Sequence, residues 1–186
     1  MPPTVAAIVL AGGRSSRFGS DKLLVEIDGR SLLDRVVLAA SAAASAVVVV
    51  GDVSGPLAPG VRVTREEPAY AGPFAAVAAG MLLVDAEIVL VLAGDLLDPA
   101  PAIGPLLDAL AAHPHADAAV VVDRDGGGRR QPLLAAFRVL PLRGCIAGVD
   151  SVGRPASALF DGLHVVEVPD PAGWSRDVDT PADLEG

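Results

Sequence analysis

Val5-Ala-Ala-Ile-Val-Leu10 runs directly into Ala11-Gly12-Gly13-Arg14-Ser15-Ser16-Arg17-Phe18-Gly19-Ser20-Asp21-Lys22, and the junction of these two pieces decides the fold. Six apolar residues without polar alternation read as a strand covered on both faces, the pattern of a parallel sheet between helical layers. The glycines that follow accept φ > 0 and close backbone approach, so the chain can wrap a ligand. Free amides at Gly12 and Gly13 would point at an anion, and Arg14, Arg17 and Lys22 place three positive charges within nine residues of a chain whose formal net charge is -9. That local reversal of sign points to a polyphosphate site. A turn alone would account for the glycines but not for the basic cluster.

The rest of the composition narrows the class. The 186 residues fit one domain, 1–186, with a full core. The 52 % hydrophobic content, mostly Ala, Val and Leu, argues against disorder. Aromatic residues make up 3 %, too few for recognition of single-stranded nucleic acid by stacking, and the negative charge opposes binding to a phosphate backbone. No basic leader precedes the first apolar run, and Gly12-Gly13-Arg14 interrupts that run too soon for a membrane span. Cys145 is the only cysteine, so intrachain disulfides and cysteine metal clusters are excluded and a cytoplasmic setting is expected. Cys145 itself reads as a packing residue.

Apolar strands then alternate with Ala- and Leu-rich helical segments, which predicts an α/β fold: a three-layer, Rossmann-like domain with a mostly parallel central sheet. Leu23–Ile27 reads as a short extended piece before the Asp28-Gly29 turn. Ser31 is placed to cap a helix whose apolar stripe is Leu32, Leu33, Val36, Val37 and Ala40. Ala46–Val50 and Ile88–Leu92 read as central strands, and Val61–Thr64 as an outer one. Pro73 predicts a helix starting just after Gly72 and running towards Leu83, and Asp98-Pro99 a cap and first turn for a helix ending near Ala112. Ala116–Val122, Gln131–Phe137 and Leu163–Val168 read as further strands, with Pro132 expected at a strand start or an edge. Short helices are expected near Leu142–Ala147 and Pro155–Phe160, and another after Thr180-Pro181.

Asp95 follows the strand 88–92 at the end where open α/β sheets present ligands, which makes it the metal candidate. Mg²⁺ needs only one or two carboxylates because it keeps waters and shares substrate phosphates. Asp177 and Asp179 would share a face of an extended tail, as a second cation contact, a substrate contact, or simply a turn and cap. His113 and His115 have no ligand set around them and read as surface residues.

The stretch Ala11–Gly19 followed by Asp21-Lys22 resembles the N-terminal signature of the molybdenum cofactor guanylyltransferase family, within the wider nucleotidyltransferase superfamily. It is neither a Walker A loop nor a dinucleotide fingerprint, since Gly-Lys-Ser/Thr and Gly-x-Gly-x-x-Gly are both missing. Further segments are similar to the family's: Gly72-Pro73-Phe74-Ala75, Gly94-Asp95-Leu96, Gln131-Pro132-Leu133 and Asp179-Thr180-Pro181-Ala182-Asp183-Leu184. The resemblance implies an enzyme that transfers GMP from GTP to molybdopterin or the molybdenum cofactor and releases pyrophosphate. It places Leu10, Ala11, Gly12 and Gly13 around the guanine base and part of the nucleotide, Lys22 on the phosphates, Glu66 on the nucleotide, and Asp95 on Mg²⁺; with the basic loop, the catalytic candidates are Arg14, Lys22 and Asp95. It also implies transient contact with cofactor-delivery or insertion proteins, and neither nucleic acid nor membrane as a partner.

The chain departs from the family at several positions. Leu97 stands where Gly-Asp-x-Pro has proline, Ala76 replaces the second glycine of Gly-Pro-Leu-Ala-Gly, Gly51 stands where an asparagine often follows the second strand, and Asp177 and Asp179 replace asparagines. The alternatives are therefore a cytidylyltransferase, another nucleotidyltransferase using a phosphorylated metabolite, and a catalytically silent nucleotide-binding module.

Overall fold

The computed structural model describes residues 1–12, 22–123 and 127–177. Among them, β1 (Val5–Leu10) leads through a short 3-10 turn at Lys22–Leu24 and a hairpin of β2 (Glu26–Ile27) and β3 (Arg30–Ser31) to α1 (Leu32–Ala43). Next come β4 (Ala46–Val50), β5 (Arg62–Thr64), α2 (Pro73–Met81), β6 (Ile88–Ala93), α3 (Ala100–Ala112) and β7 (Ala118–Asp123). The chain then forms β8 (Arg129–Arg138), α4 (Val139–Ile146), a 3-10 segment at Ala156–Phe160 and β9 (Val165–Asp170).

Seven strands form one sheet in the order β5-β4-β1-β6-β8-β7-β9. Every neighbouring pair is parallel except the two made by β8, which runs antiparallel to β6 and to β7. The mostly parallel, three-layer arrangement expected from the apolar runs is present. Alternate residues of one strand enter opposite cores: Ala7 and Val9 pack in the layer with α1 and α3, Ala6 and Ile8 in the layer with α2 and the 156–160 segment. Both faces are covered, so the strands have no polar side, and the continuous runs in the sequence follow from that.

Local chemistry sets the helix positions. Ser31 Oγ accepts the Asp34 N–H at 3.1 Å, and the stripe Leu32, Leu33, Val36, Val37 and Ala40 is buried. Pro73 opens α2 after Gly72, whose φ of 103° suits glycine. Gly80 lets α2 lie close to the sheet, since a Cβ there would stand 3.0 Å from Ile8 and Val50 side-chain carbons.

Four expectations change. Residues 22–24 are a 3-10 turn, and only Glu26–Ile27 is extended. Asp98 does not cap α3: the cap position is Pro99 and no side chain bonds the first amides. Helix α4 begins at Val139, ahead of the expected start, because Pro141 falls in its first turn where a missing N–H costs no helical bond. Pro132 lies inside β8, between β6 and β7, rather than at a start or edge. It is accommodated there because the β7 register jumps from Val120↔Ala135 to Val121↔Gln131, so residues 132–134 have no ladder partner on β7. The region after Thr180 lies outside the described residues.

Candidate active site

The strand order reverses beside β1: β4 and β5 continue the sheet on one side and β6 on the other. Ligands in open α/β sheets collect at such a switch point, outside the carboxyl ends of the strands. Three backbone bonds extend the ladder one residue past those ends. Gly51 N–H donates to Thr64 O (2.9 Å), Ala11 N–H to Val50 O (2.8 Å), and Gly94 N–H to Leu10 O (2.9 Å). Glycine is required at two of these positions by packing. A Cβ at Gly51, where φ is 141°, would lie 2.6 Å from the Ala11 carbonyl carbon, and one at Gly94 would lie 2.8 Å from Leu10 O. Gly51, a departure from the family pattern, thus fits the close approach of the β4 and β1 ends.

Lys22 and Asp95 meet across this switch point. Lys22 Nζ lies 2.9 Å from Asp95 Oδ2, with the side chains 13 % and 28 % exposed, so the pair is partly shielded from solvent. Lys22 comes from the 3-10 turn at Lys22–Leu24, and Asp95 from the loop after β6. Leu10 and Ala11 are buried at the end of β1 and Gly12 is exposed. The Leu10 carbonyl and the Ala11 amide are already used in the ladder extension. Gly13, Arg14, Arg17 and Asp179 lie outside the described residues.

Glu66 sits beyond β5, only 8 % exposed. Its Oε1 accepts the Tyr70 N–H at 3.0 Å, while Oε2 is buried without a hydrogen-bond partner among the described residues. A buried carboxylate oxygen left unpaired is costly, so a ligand N–H or O–H donor would fit Oε2. The same stretch, Arg65 to Ala69, lines a cleft of about 400 Å³. Asp52, from the loop after β4, accepts from Arg65 and from the Tyr70 hydroxyl, and its hydrogen bond and charge hold the Arg65 guanidinium more firmly protonated than usual. Neither Asp52 nor Tyr70 was singled out from the sequence. The available signal was position, since Asp52 follows a central strand at its carboxyl end.

The tail also reaches this edge. Leu97 N–H donates to Arg176 O (3.0 Å), and Asp177 forms an antiparallel bridge with Leu96, next to Asp95. Asp177 and Asp95 are therefore brought into the same neighbourhood, which their separation in sequence does not reveal. Arg35 of α1 braces the same loop through Leu97 O at 3.4 Å. His113, His115 and His164 instead line an apolar recess where α3 ends and β7 and β9 begin, on the opposite edge of the sheet.

The MobA-like NTP transferase domain matches residues 7–161. The chain belongs to that family. It is 33 % identical to a probable molybdenum cofactor guanylyltransferase from Chloroflexus aggregans, over 97 % of this chain and 92 % of the relative. Two solved structures share the fold of this MobA-like transferase. Molybdopterin-guanine dinucleotide biosynthesis protein A from Archaeoglobus fulgidus superposes with a TM-score of 0.68 at 19 % identity, covering 97 % of this chain and 95 % of the other. The 2-C-methyl-D-erythritol 4-phosphate cytidylyltransferase from Thermus thermophilus gives 0.68 at 18 % identity, covering 96 % and 94 %. The chain is thus a nucleotidyltransferase that takes its transferred group from a nucleoside triphosphate.

Among the described residues, no three His, Cys, Asp or Glu side chains gather into a metal cage. Asp95 nevertheless suits Mg²⁺: it is a partly exposed carboxylate already holding a cation, Lys22 Nζ, at 2.9 Å, and Mg²⁺ at phosphate sites takes one or two carboxylates and draws its other oxygens from substrate and water. No helix among the described residues is long and apolar enough to cross a membrane.

Proposed function

We propose that this transferase moves GMP from GTP onto the terminal phosphate of molybdopterin, or of the molybdenum-loaded cofactor, and releases pyrophosphate. The observation that carries the reading is the Lys22–Asp95 pair at the switch point, with the unpaired Glu66 oxygen on the same edge of the sheet. Asp95 follows β6 and Glu66 follows β5, three strand spacings away in the order β5-β4-β1-β6, or about 14 Å at ordinary sheet spacing. A nucleotide laid across the strand ends puts its phosphates at Lys22 and its base or sugar towards Glu66.

The acceptor supplies its own nucleophile. A phosphate monoester has a second pKa of about 6 and is largely dianionic at neutral pH, so no strong protein base is needed. One acceptor oxygen bonds to the α-phosphorus, the bond from that phosphorus to the bridging oxygen of the β-phosphate breaks, and the electron pair leaves with pyrophosphate. Lys22 contributes positive charge to the phosphates as charge shifts to the leaving group, and holding the two anions in line supplies the rest of the acceleration. Asp95 would hold Mg²⁺, which when bound neutralises phosphate oxygens and assists departure of pyrophosphate. A cytoplasmic setting and transient contact with cofactor-delivery or insertion proteins accompany this reading.

Transfer of CMP from CTP is the second reading, favoured by Asp177 standing where guanylyltransferase tails carry asparagine. Assays with GTP, CTP, ATP and UTP, each with molybdopterin and a panel of phosphorylated acceptors, separate the two. A GMP adduct with stoichiometric pyrophosphate supports the first reading, and a CMP adduct supports the second.

A further inference from the structure

Asp170, the last residue of β9, is a buried polar group, 5 % exposed. Its Oδ1 accepts the amides of Ala172 (3.2 Å) and Trp174 (2.8 Å), and its Oδ2 accepts the amide and hydroxyl of Ser175 (2.9 and 2.8 Å). Four donors on one carboxylate fix the whole path from Pro171 to Ser175. The next two residues are those laced to the Asp95 loop, through Arg176 O to the Leu97 amide and through the Asp177–Leu96 bridge. The same loop is also held by Gly94 N–H on Leu10 O, by Arg35 on Leu97 O and by Lys22 on Asp95.

We propose that Asp170 is a positioning residue for nucleotidyl transfer: it shapes the 171–177 excursion so that Asp177 lies against Leu96 and the Asp95 carboxylate is held facing Lys22. The role in transfer rests on the reaction proposed above. The anchoring of the 94–97 loop is a separate physical claim. Burial works against ionisation of Asp170, but the four hydrogen bonds outweigh it and hold the carboxyl below its ordinary range, so the anchor is charged at neutral pH.

The test uses the full chain with Asp170→Asn and, as the milder variant, Ser175→Ala. Asparagine keeps an oxygen for Ala172 and Trp174 but turns an N–H towards the Ser175 amide. Trp174 is the only tryptophan, so its emission reports directly on the excursion. The expected result is a changed Trp174 emission, about tenfold or more faster amide exchange across 94–97 with 88–92 still protected, and kcat lower by about 10- to 100-fold with the nucleotide KM within about threefold. Ser175→Ala should move the same readouts less. Unchanged exchange at 94–97 in folded Asp170→Asn overturns the anchor, and faster exchange that extends equally through 88–92 reduces Asp170 to a general stability residue and overturns the positioning role. If the wild-type chain transfers no nucleotidyl group, the reaction fails and with it the role in transfer, while the exchange measurement still decides the anchor.

Discussion

Lys22 Nζ and Asp95 Oδ2 are 2.9 Å apart at the carboxyl edge of the sheet, although 73 residues separate them in the chain. The pair stands where the strand order reverses, and in the proposed reaction it would join a phosphate-binding cation to a metal-binding carboxylate. Each partner satisfies the other's charge, and in the proposed reaction phosphates and a metal ion would take over both roles.

Replacing Lys22 by alanine should leave the fold nearly intact, because the side chain belongs to neither core cluster. Loss of a charge contact that strengthens in the transition state should lower kcat/KM for the nucleotide by about 10²-fold or more. Circular dichroism and steady-state kinetics on the purified variant check both halves.

Asp95→Asn preserves shape and removes the charge that would hold the metal ion. Turnover should drop severely and should not recover with excess Mg²⁺. Nucleotide-dependent binding of Mn²⁺, followed by electron paramagnetic resonance, should weaken in parallel.

Glu66→Gln tests whether a ligand donates to Oε2. Glutamine retains an oxygen for the Tyr70 amide and places a neutral group in a buried position, so thermal stability should hold or rise. If the ligand donates to that oxygen, nucleotide affinity should fall by about 10- to 100-fold, the range for a hydrogen bond to a charged group. Thermal melts and titration calorimetry separate the two effects.

Asp170 gives a pH signature. Its folded carboxyl is held below the ordinary value, so its contribution to stability is complete above the unfolded pKa of about 4 and is lost as pH falls through the lower folded value. Asp170→Asn should therefore be less stable than wild type at pH 7, and the gap should close only under acid conditions. Urea unfolding at pH 7 and near pH 3 measures it.

Much of this structure was readable because the parallel strands are covered on both faces. Val5–Leu10, Ala46–Val50 and Ile88–Leu92 are unbroken apolar runs, and no surface requirement blurs them. Ser31 and Pro73 marked helix starts through chemistry local to the chain, whereas Asp98 carried the same local signal and was left outside the cap. Pro132 misled because its place inside β8 depends on a register jump against β7, which is a property of the pair and not of either strand. The site divides in the same way. Lys22, Glu66 and Asp95 were named from motif and strand end, and the structure sets all three on the carboxyl edge. Asp170 went unnoticed because its importance lies in where its loop ends, beside a residue 75 positions earlier in the chain. The Asp170-Pro171 pair followed by Gly173 was the available turn signal.

The most direct measurement is product analysis after mixing the wild-type protein with Mg²⁺, molybdopterin and α-labelled GTP or CTP, repeated with Lys22→Ala and Asp95→Asn. The expected result is a labelled GMP adduct of the pterin with one pyrophosphate per adduct, favoured over the CMP adduct and nearly abolished in both variants. A CMP adduct as the main product, or full activity in either folded variant, would contradict it.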